Sequence, residues 1–155
     1  MSGVAVFQGN VEGEVIFKDT DAGCLISANF LQIPPGDHGF HIHTAGDLRG
    51  PGCLGACAHY HVGKPSEHGG PPNSKGPRHT GDLGNISMSS PKRRFLLKDV
   101  KVADLYGRTL IVHEDADDLG QGNFDDSKIT GHAGKRMACA IIGRMKSKQP
   151  TRKNK

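Results

Sequence analysis

"GVAVFQGNVEGEVIFKD", residues 3–19, decides the fold class. Val4–Phe7 and Val15–Phe17 are short apolar runs of strand-forming residues flanked by polar ones. Between them lies Gly/Asn turn chemistry, so the stretch reads as two half-buried strands in a hairpin. The pattern continues outward. "CLISANFLQI" (24–33) is a third strand, "PPGDHG" (34–39) a turn, and "FHIHTAG" (40–46) a fourth strand. "LGNISMS" (83–89), "KRRFLLKDV" (92–100), "RTLIVHE" (108–114) and "RMACAIIGR" (136–144) complete the series. Eight or so short strands without a helical period predict an all-β sandwich or barrel. A chain of 155 residues with 22 glycines and no tryptophan is read as one domain of short strands and elaborate turns.

Residues 44–82 and 114–134 break this rhythm. They are rich in Gly, Pro, His and Asp and carry no strand pattern. Loops of that length in a compact domain need something to organise them, and a bound metal can replace the core they cannot build. "HIH" at 41–43 places His41 and His43 on one face of a strand, with Phe40 and Ile42 on the other. An HxH alone says little, and a histidine at a strand exit, such as His113, is commonly a satisfied core residue. The long loop adds His59, His61, His68, His79 and Asp82, the last two in "RHTGDLGN", where a tight turn would bring them together. Three histidines and a carboxylate suit tetrahedral zinc. A set of about four imidazoles suits Cu(II). Holding both requires one histidine to serve each, and "AHYH" (58–61) offers His59 or His61.

The formal charge of +4 is unevenly placed. Residues 1–143 hold 14 basic against 16 acidic groups, whereas "RMKSKQPTRKNK" (144–155) holds six basic residues and no acid. The tail reads as a solvated, disordered end making at most weak polyanion contacts, not as a nucleic-acid-binding domain. No stretch approaches a membrane span. "MSGVAVFQGN" lacks the charged and apolar regions of a signal peptide, so a cytoplasmic location is expected and the Asn85–Ser87 sequon reads as accidental. The four cysteines, Cys24, Cys53, Cys57 and Cys139, form no CxxC pair, and spacing alone cannot pair them. HExxH and GxSxG motifs are absent, which disfavours a hydrolase.

Taken in order, "GFHIH", "HGG", "HTGDLGN", "VHEDADDLGQGN" and "GKRMACAIIG" closely resemble the copper–zinc superoxide dismutases over roughly residues 3–143. The resemblance implies an eight-stranded Greek-key β-barrel or sandwich with two long functional loops. It implies one copper and one zinc per subunit, converting superoxide to dioxygen and hydrogen peroxide by Cu(II)/Cu(I) cycling. It assigns His41, His43, His59 and His113 to copper, and His59, His68, His79 and Asp82 to zinc. The shared ligand is His59 because the family places it six residues after the loop's disulfide cysteine, with an aromatic residue following. Counting back from His68 is indecisive, His59 being one residue too far and His61 one too near. By the same resemblance Cys53 pairs with Cys139, and Cys24 and Cys57 are free thiols. Arg136 meets the anionic substrate, Asp117 bridges His41 and His68, and Asp118 is loop polarity. A homodimer and a copper chaperone are the implied partners.

Departures from the family pattern accompany these roles. Ile129 stands at the usual lysine position with Lys128 displaced by one, and Asp115 stands where a base is frequent, so weaker electrostatic steering is expected. Arg144 falls where an apolar residue often serves the dimer contact, and "GGPPNSKGPRH" lengthens the zinc loop. The competing reading is a non-catalytic metal-binding module, a carrier or decoy; an interaction module on the same sandwich is a further one.

Overall fold

The structure, a computed structural model, describes residues 1–147. Its strands are β1 (Ser2–Phe7), β2 (Glu12–Thr20), β3 (Gly23–Gln32), β4 (His38–His43), β5 (Asp82–Ile86), β6 (Lys92–Leu97), β7 (Thr109–His113), β8 (Arg136–Ile141) and β9 (Gly143–Arg144). They form two antiparallel sheets, ordered β6-β3-β2-β1-β9 and β5-β4-β7-β8. β7 returns beside β4 after β5 and β6 have intervened, which is the Greek-key connection. The opening stretch forms the expected hairpin, with Val4 opposite Ile16 and Ala5 opposite Val15.

The predicted eighth strand is two strands. Ile142, fully buried, separates β8 from β9, and the chain switches sheets there, so β9 pairs with β1. Arg144, grouped with the tail by charge, therefore pairs with Gly3. The disordered tail expected over 144–155 otherwise lies mainly outside the described residues. Two one-turn helices, α1 (Val102–Leu105) and α2 (Ser127–Thr130), occupy segments where no helix was expected. Four-residue helices are too short to display a period in sequence. Among the described residues no helix is long and apolar enough to cross a membrane.

Inward-facing residues of both sheets fill the core: Ala5, Phe7, Val15, Phe17, Ile26 and Phe30 from one, and Phe40, Ile42, Leu83, Leu110 and Val112 from the other. β4 and β7 are buried on every residue, unlike β1 to β3. Their second face, carrying His41, His43 and His113, lies beneath the two long loops. A disulfide between Cys53 and Cys139, 86 residues apart, ties the first loop to β8. Closing a loop of that size stabilises the fold by up to about 4.6 kcal/mol in the chain-entropy model.

Candidate metal centre

β4 and β7 run side by side, with His41 opposite Ile111 and His43 opposite Thr109. His113 follows at the end of β7, where an irregularity sets it opposite Arg136 of β8. The first loop folds back so that His59 forms a bridge with His43, while the Tyr60 N–H donates to the Ile42 carbonyl at 2.7 Å. Tyr60 thereby enters the core and His59 is held against the histidine face.

Two donor sets result. His41, His43, His59 and His113 each bring one nitrogen to a common region, and His59, His68, His79 and Asp82 do the same beside it; within each set the donor atoms lie within 4.8 Å of one another. His61 and the Cys57 thiol belong to neither. A third grouping, His41, His68 and Asp117, is engaged in direct hydrogen bonds: His41 Nε2 to Asp117 Oδ2 at 2.6 Å, and His68 Nε2 to Asp117 Oδ1 at 2.8 Å.

His41, His43, His68 and His113 each have one nitrogen anchored and one turned inward. His43 Nδ1 donates to the Cys57 carbonyl at 2.7 Å, and His113 Nδ1 to the Gly134 carbonyl at 3.0 Å. Their Nε2 atoms approach one another to 3.4 Å. His41, anchored through Nε2, turns Nδ1 inward; that atom is buried without a partner. His59 Nδ1 lies 2.8 Å from Asp82 Oδ1 and 3.3 Å from His68 Nδ1, while its Nε2 is buried and partnerless. His79 Nδ1 makes no hydrogen bond, although it lies 3.3 Å from Asp82 Oδ2. Partnerless buried nitrogens are costly in a finished core. Here all three rings belong to the two donor sets, where a cation could partner them.

The electrostatics agree. Burial holds His41, His43 and His59 below the usual imidazole range, and holds His113 down to about 4. The first set thus presents neutral nitrogens with lone pairs available. Burial would raise Asp82, but the His59 hydrogen bond and the close approach of the His68 and His79 rings outweigh it and keep the carboxylate ionised. Burial would likewise lower His68, but its bonds to Asp117 and Asp82 prevail and raise it to about 9. A closely spaced acid and imidazole cluster of this kind exchanges its protons readily for a divalent cation.

The loops are held by residues whose roles sequence reading missed. Asn85, read only as part of a sequon, grips Asp117 at both ends: its side-chain amide donates to the Asp117 carbonyl at 2.9 Å and its side-chain oxygen accepts the Asp117 N–H at 2.7 Å. Asp118 is more than loop polarity, since it accepts from the Ser127 hydroxyl at 2.5 Å and the Gly120 N–H at 2.9 Å. Asn85 and Asp117 lie 32 residues apart, so their pairing leaves no local signal. Gly131, at φ 75°, sits against the Asp117–His68 pair, where a Cβ would collide with both. Arg136 donates from Nη1 to the Cys53 carbonyl at 2.9 Å and from Nη2 to the Cys57 carbonyl at 2.6 Å. Together with Ala58, His59 and His79 it lines a cleft of about 220 Å³. Ile129 and Lys128 form part of its rim. The hollow beside Val6 and Leu31 is larger, about 570 Å³, but holds no histidine.

Comparison with known proteins agrees with this geometry. Residues 11–142 match the family model described as copper/zinc superoxide dismutase. Superoxide dismutase [Cu-Zn] 5 of Dictyostelium discoideum is 41% identical over 92% of this chain and 97% of its own length. The copper chaperone for superoxide dismutase of Homo sapiens is 43% identical over 88% of this chain, which matches 50% of that protein. In structure, the chain is similar to the crystal structure of the clock protein EA4, with a TM-score of 0.79, 33% identity and coverage of 92% and 93% of the two chains. From motif order, sheet topology and these likenesses together, the chain belongs to the copper/zinc superoxide dismutase family.

Proposed function

We propose that the protein is a working superoxide dismutase, with His41, His43, His59 and His113 as copper ligands and His59, His68, His79 and Asp82 as zinc ligands. The observation that carries this reading is the His59 ring, whose Nδ1 belongs to the carboxylate set while its buried, partnerless Nε2 faces the other histidines. When bound, copper would supply the one-electron Cu(II)/Cu(I) couple and zinc a redox-silent positive charge on the shared ring.

The chain's own residues do the rest. One superoxide gives up an electron and leaves as dioxygen; the next gains an electron and two protons and leaves as hydrogen peroxide. Arg136 is permanently charged, and the donors not used by the Cys53 and Cys57 carbonyls can meet the anion. His59 Nε2 is where the chain can hold one of the two protons close to the product. Asp117 fixes the ring orientations of His41 and His68, so both donor sets share one support. A homodimer belongs to the same reading, with exposed Leu54 and Ile141 as apolar contact residues and gel filtration as its check.

Likeness to copper chaperones favours a second reading, in which the domain binds copper only to pass it on. Metal analysis coupled to a superoxide-consumption assay, on the wild type and His43→Ala, separates the two. Copper and zinc retained near one each per chain, with activity abolished in His43→Ala, is the expected result. Metal retention without activity would favour the carrier, and activity surviving the substitution would reject the copper mechanism.

A further inference from the structure

His61, two residues beyond His59, belongs to neither donor set, yet both of its ring nitrogens are engaged. Nε2 lies 2.7 Å from the Lys64 carbonyl oxygen, which can only accept, so Nε2 carries the proton and donates. Nδ1 is left with its lone pair, and the Thr80 backbone N–H donates to it at 3.2 Å. The Thr80 hydroxyl lies 3.4 Å from the same nitrogen and accepts the Val62 N–H at 3.0 Å.

Thr80 is the second residue of the turn His79–Asp82, which presents two of the proposed zinc donors. All four N–H groups of that turn have a destination. His79 N–H donates to Asp82 Oδ2 at 2.7 Å, and Asp82 N–H to the His79 carbonyl at 3.1 Å, so these two shape the turn internally. Gly81 N–H donates to the Tyr60 carbonyl at 2.8 Å, and Thr80 N–H to His61. The last two dock the turn onto the segment that carries His59. One of them is backbone to backbone; the other depends on a single side chain.

We infer that His61 is a positioning residue for zinc: by capturing the Thr80 N–H it locks the turn bearing His79 and Asp82 against the segment bearing His59, and so sets how tightly zinc is held. The inference rests on the zinc reading of the second donor set. Outer partners of a metal site commonly change affinity by about 10- to 100-fold, and an indirect partner such as His61 belongs at the lower end.

Two amide substitutions separate the roles of the ring nitrogens. Asparagine places its side-chain oxygen near the position of Nδ1, so His61→Asn keeps an acceptor for Thr80 and loses the donor to Lys64. Glutamine reaches the position of Nε2, so His61→Gln does the converse, and His61→Ala does neither. The full chain of each variant is loaded with Zn²⁺ and titrated with a competing chromophoric chelator. It is also loaded with Co²⁺ at the zinc site and read by its d–d absorption. His61→Ala and His61→Gln are expected to hold zinc about tenfold less tightly, with an altered cobalt band, while His61→Asn stays within about threefold of the wild type. Equal retention in all variants overturns the inference, as does an asparagine variant as weak as the alanine one, or rescue by glutamine alone. A wild type that takes up no Zn²⁺, or holds it no better than His79→Ala does, refutes the zinc reading itself. A wild type that binds tightly and is matched by His61→Ala refutes only the role of His61.

Discussion

Cys57→Gly should stabilise the fold and leave the donor sets intact. Cys57 adopts φ 65° and ψ −155°, a conformation nearly exclusive to glycine because a Cβ crowds the flanking peptide groups. Strain of this kind costs of order 1–3 kcal/mol. Glycine's greater freedom in the unfolded chain offsets roughly 0.5–1 kcal/mol of the relief. The thiol is exposed, and its loss removes only a 3.4 Å contact with the Gly55 carbonyl. The net gain is about 1 kcal/mol, equivalent to a rise of roughly 2–4 °C in the thermal midpoint for a chain of this length. The reason to expect intact function is that the peptide group matters and the side chain does not: the Cys57 carbonyl accepts from both His43 Nδ1 and Arg136 Nη2. Thermal unfolding of the metal-free, disulfide-intact protein measures the first effect, and superoxide consumption by the metal-loaded protein the second. A lower midpoint in the glycine variant would refute the strain argument, and a large loss of rate would show that the thiol itself serves the site.

Asp117→Ala should weaken zinc retention by about 10- to 100-fold in chelator competition, because it leaves the Nε2–H groups of His41 and His68 buried without acceptors; retention at the wild-type level would remove Asp117 from its orienting role. Lys128 at the cleft rim lies 3.7 Å from Glu67, so Glu67→Gln should free its charge and raise the rate at low ionic strength by about twofold, over a shallow wild-type salt dependence. A steep wild-type dependence on salt would contradict the expected weak steering. Metal-free, disulfide-intact protein should be most stable near pH 6.5. His113, held down to about 4 by burial, and His41 and His43, lowered by burial as well, protonate first in the unfolded chain; their stability is present above about pH 6.5 and is lost as pH falls, His113 alone accounting for roughly 3 kcal/mol by pH 4. His68 acts in the opposite sense: raised to about 9 by Asp117 and Asp82 against the effect of burial, it contributes fully below about 6.5 and less as pH rises towards 9. Denaturant titrations from pH 4 to 9 test the optimum, and stability that climbs steadily across the whole range would contradict it.

Strands that bury one face were legible where their alternation survives in sequence, as in β3, where buried Ile26, Ala28 and Phe30 alternate with Ser27 and Asn29. β4 was legible differently, through a core face of Phe40 and Ile42 and a chemical face of His41 and His43. The sheet switch at Ile142 was not, since "MACAIIGR" reads as one apolar run and only the other sheet's free edge beside β1 makes a break there favourable. The choice between His59 and His61 shows the limit of spacing. In an extended segment residues i and i+2 share a face, so both rings could have joined the donor sets. Pairing of His59 with His43 and burial of Tyr60 hold the first ring in place, and beyond Tyr60 the chain docks onto the 79–82 turn, which directs the second ring to Thr80. Both outcomes depend on segments far away in sequence.

The two long loops gain their order from shared acceptors. One carbonyl, that of Cys57, holds both a histidine of the first donor set and the guanidinium at the cleft, so His43 and Arg136 cannot move independently. One carboxylate, Asp117, holds His41 of the first set and His68 of the second, and is itself gripped by Asn85 on β5. The Cys53 carbonyl, beside the disulfide to β8, takes the other end of Arg136. The Cys57 carbonyl and Asp117 therefore each join a loop to a strand and serve two functional groups at once. Such an arrangement positions side chains well without a hydrophobic core in the loops, since misplacing any one group strains a second. It also explains why the strained backbone at Cys57 persists: relaxing it by rotation would turn away the carbonyl on which both neighbours depend, so the strain is held by the contacts it makes possible.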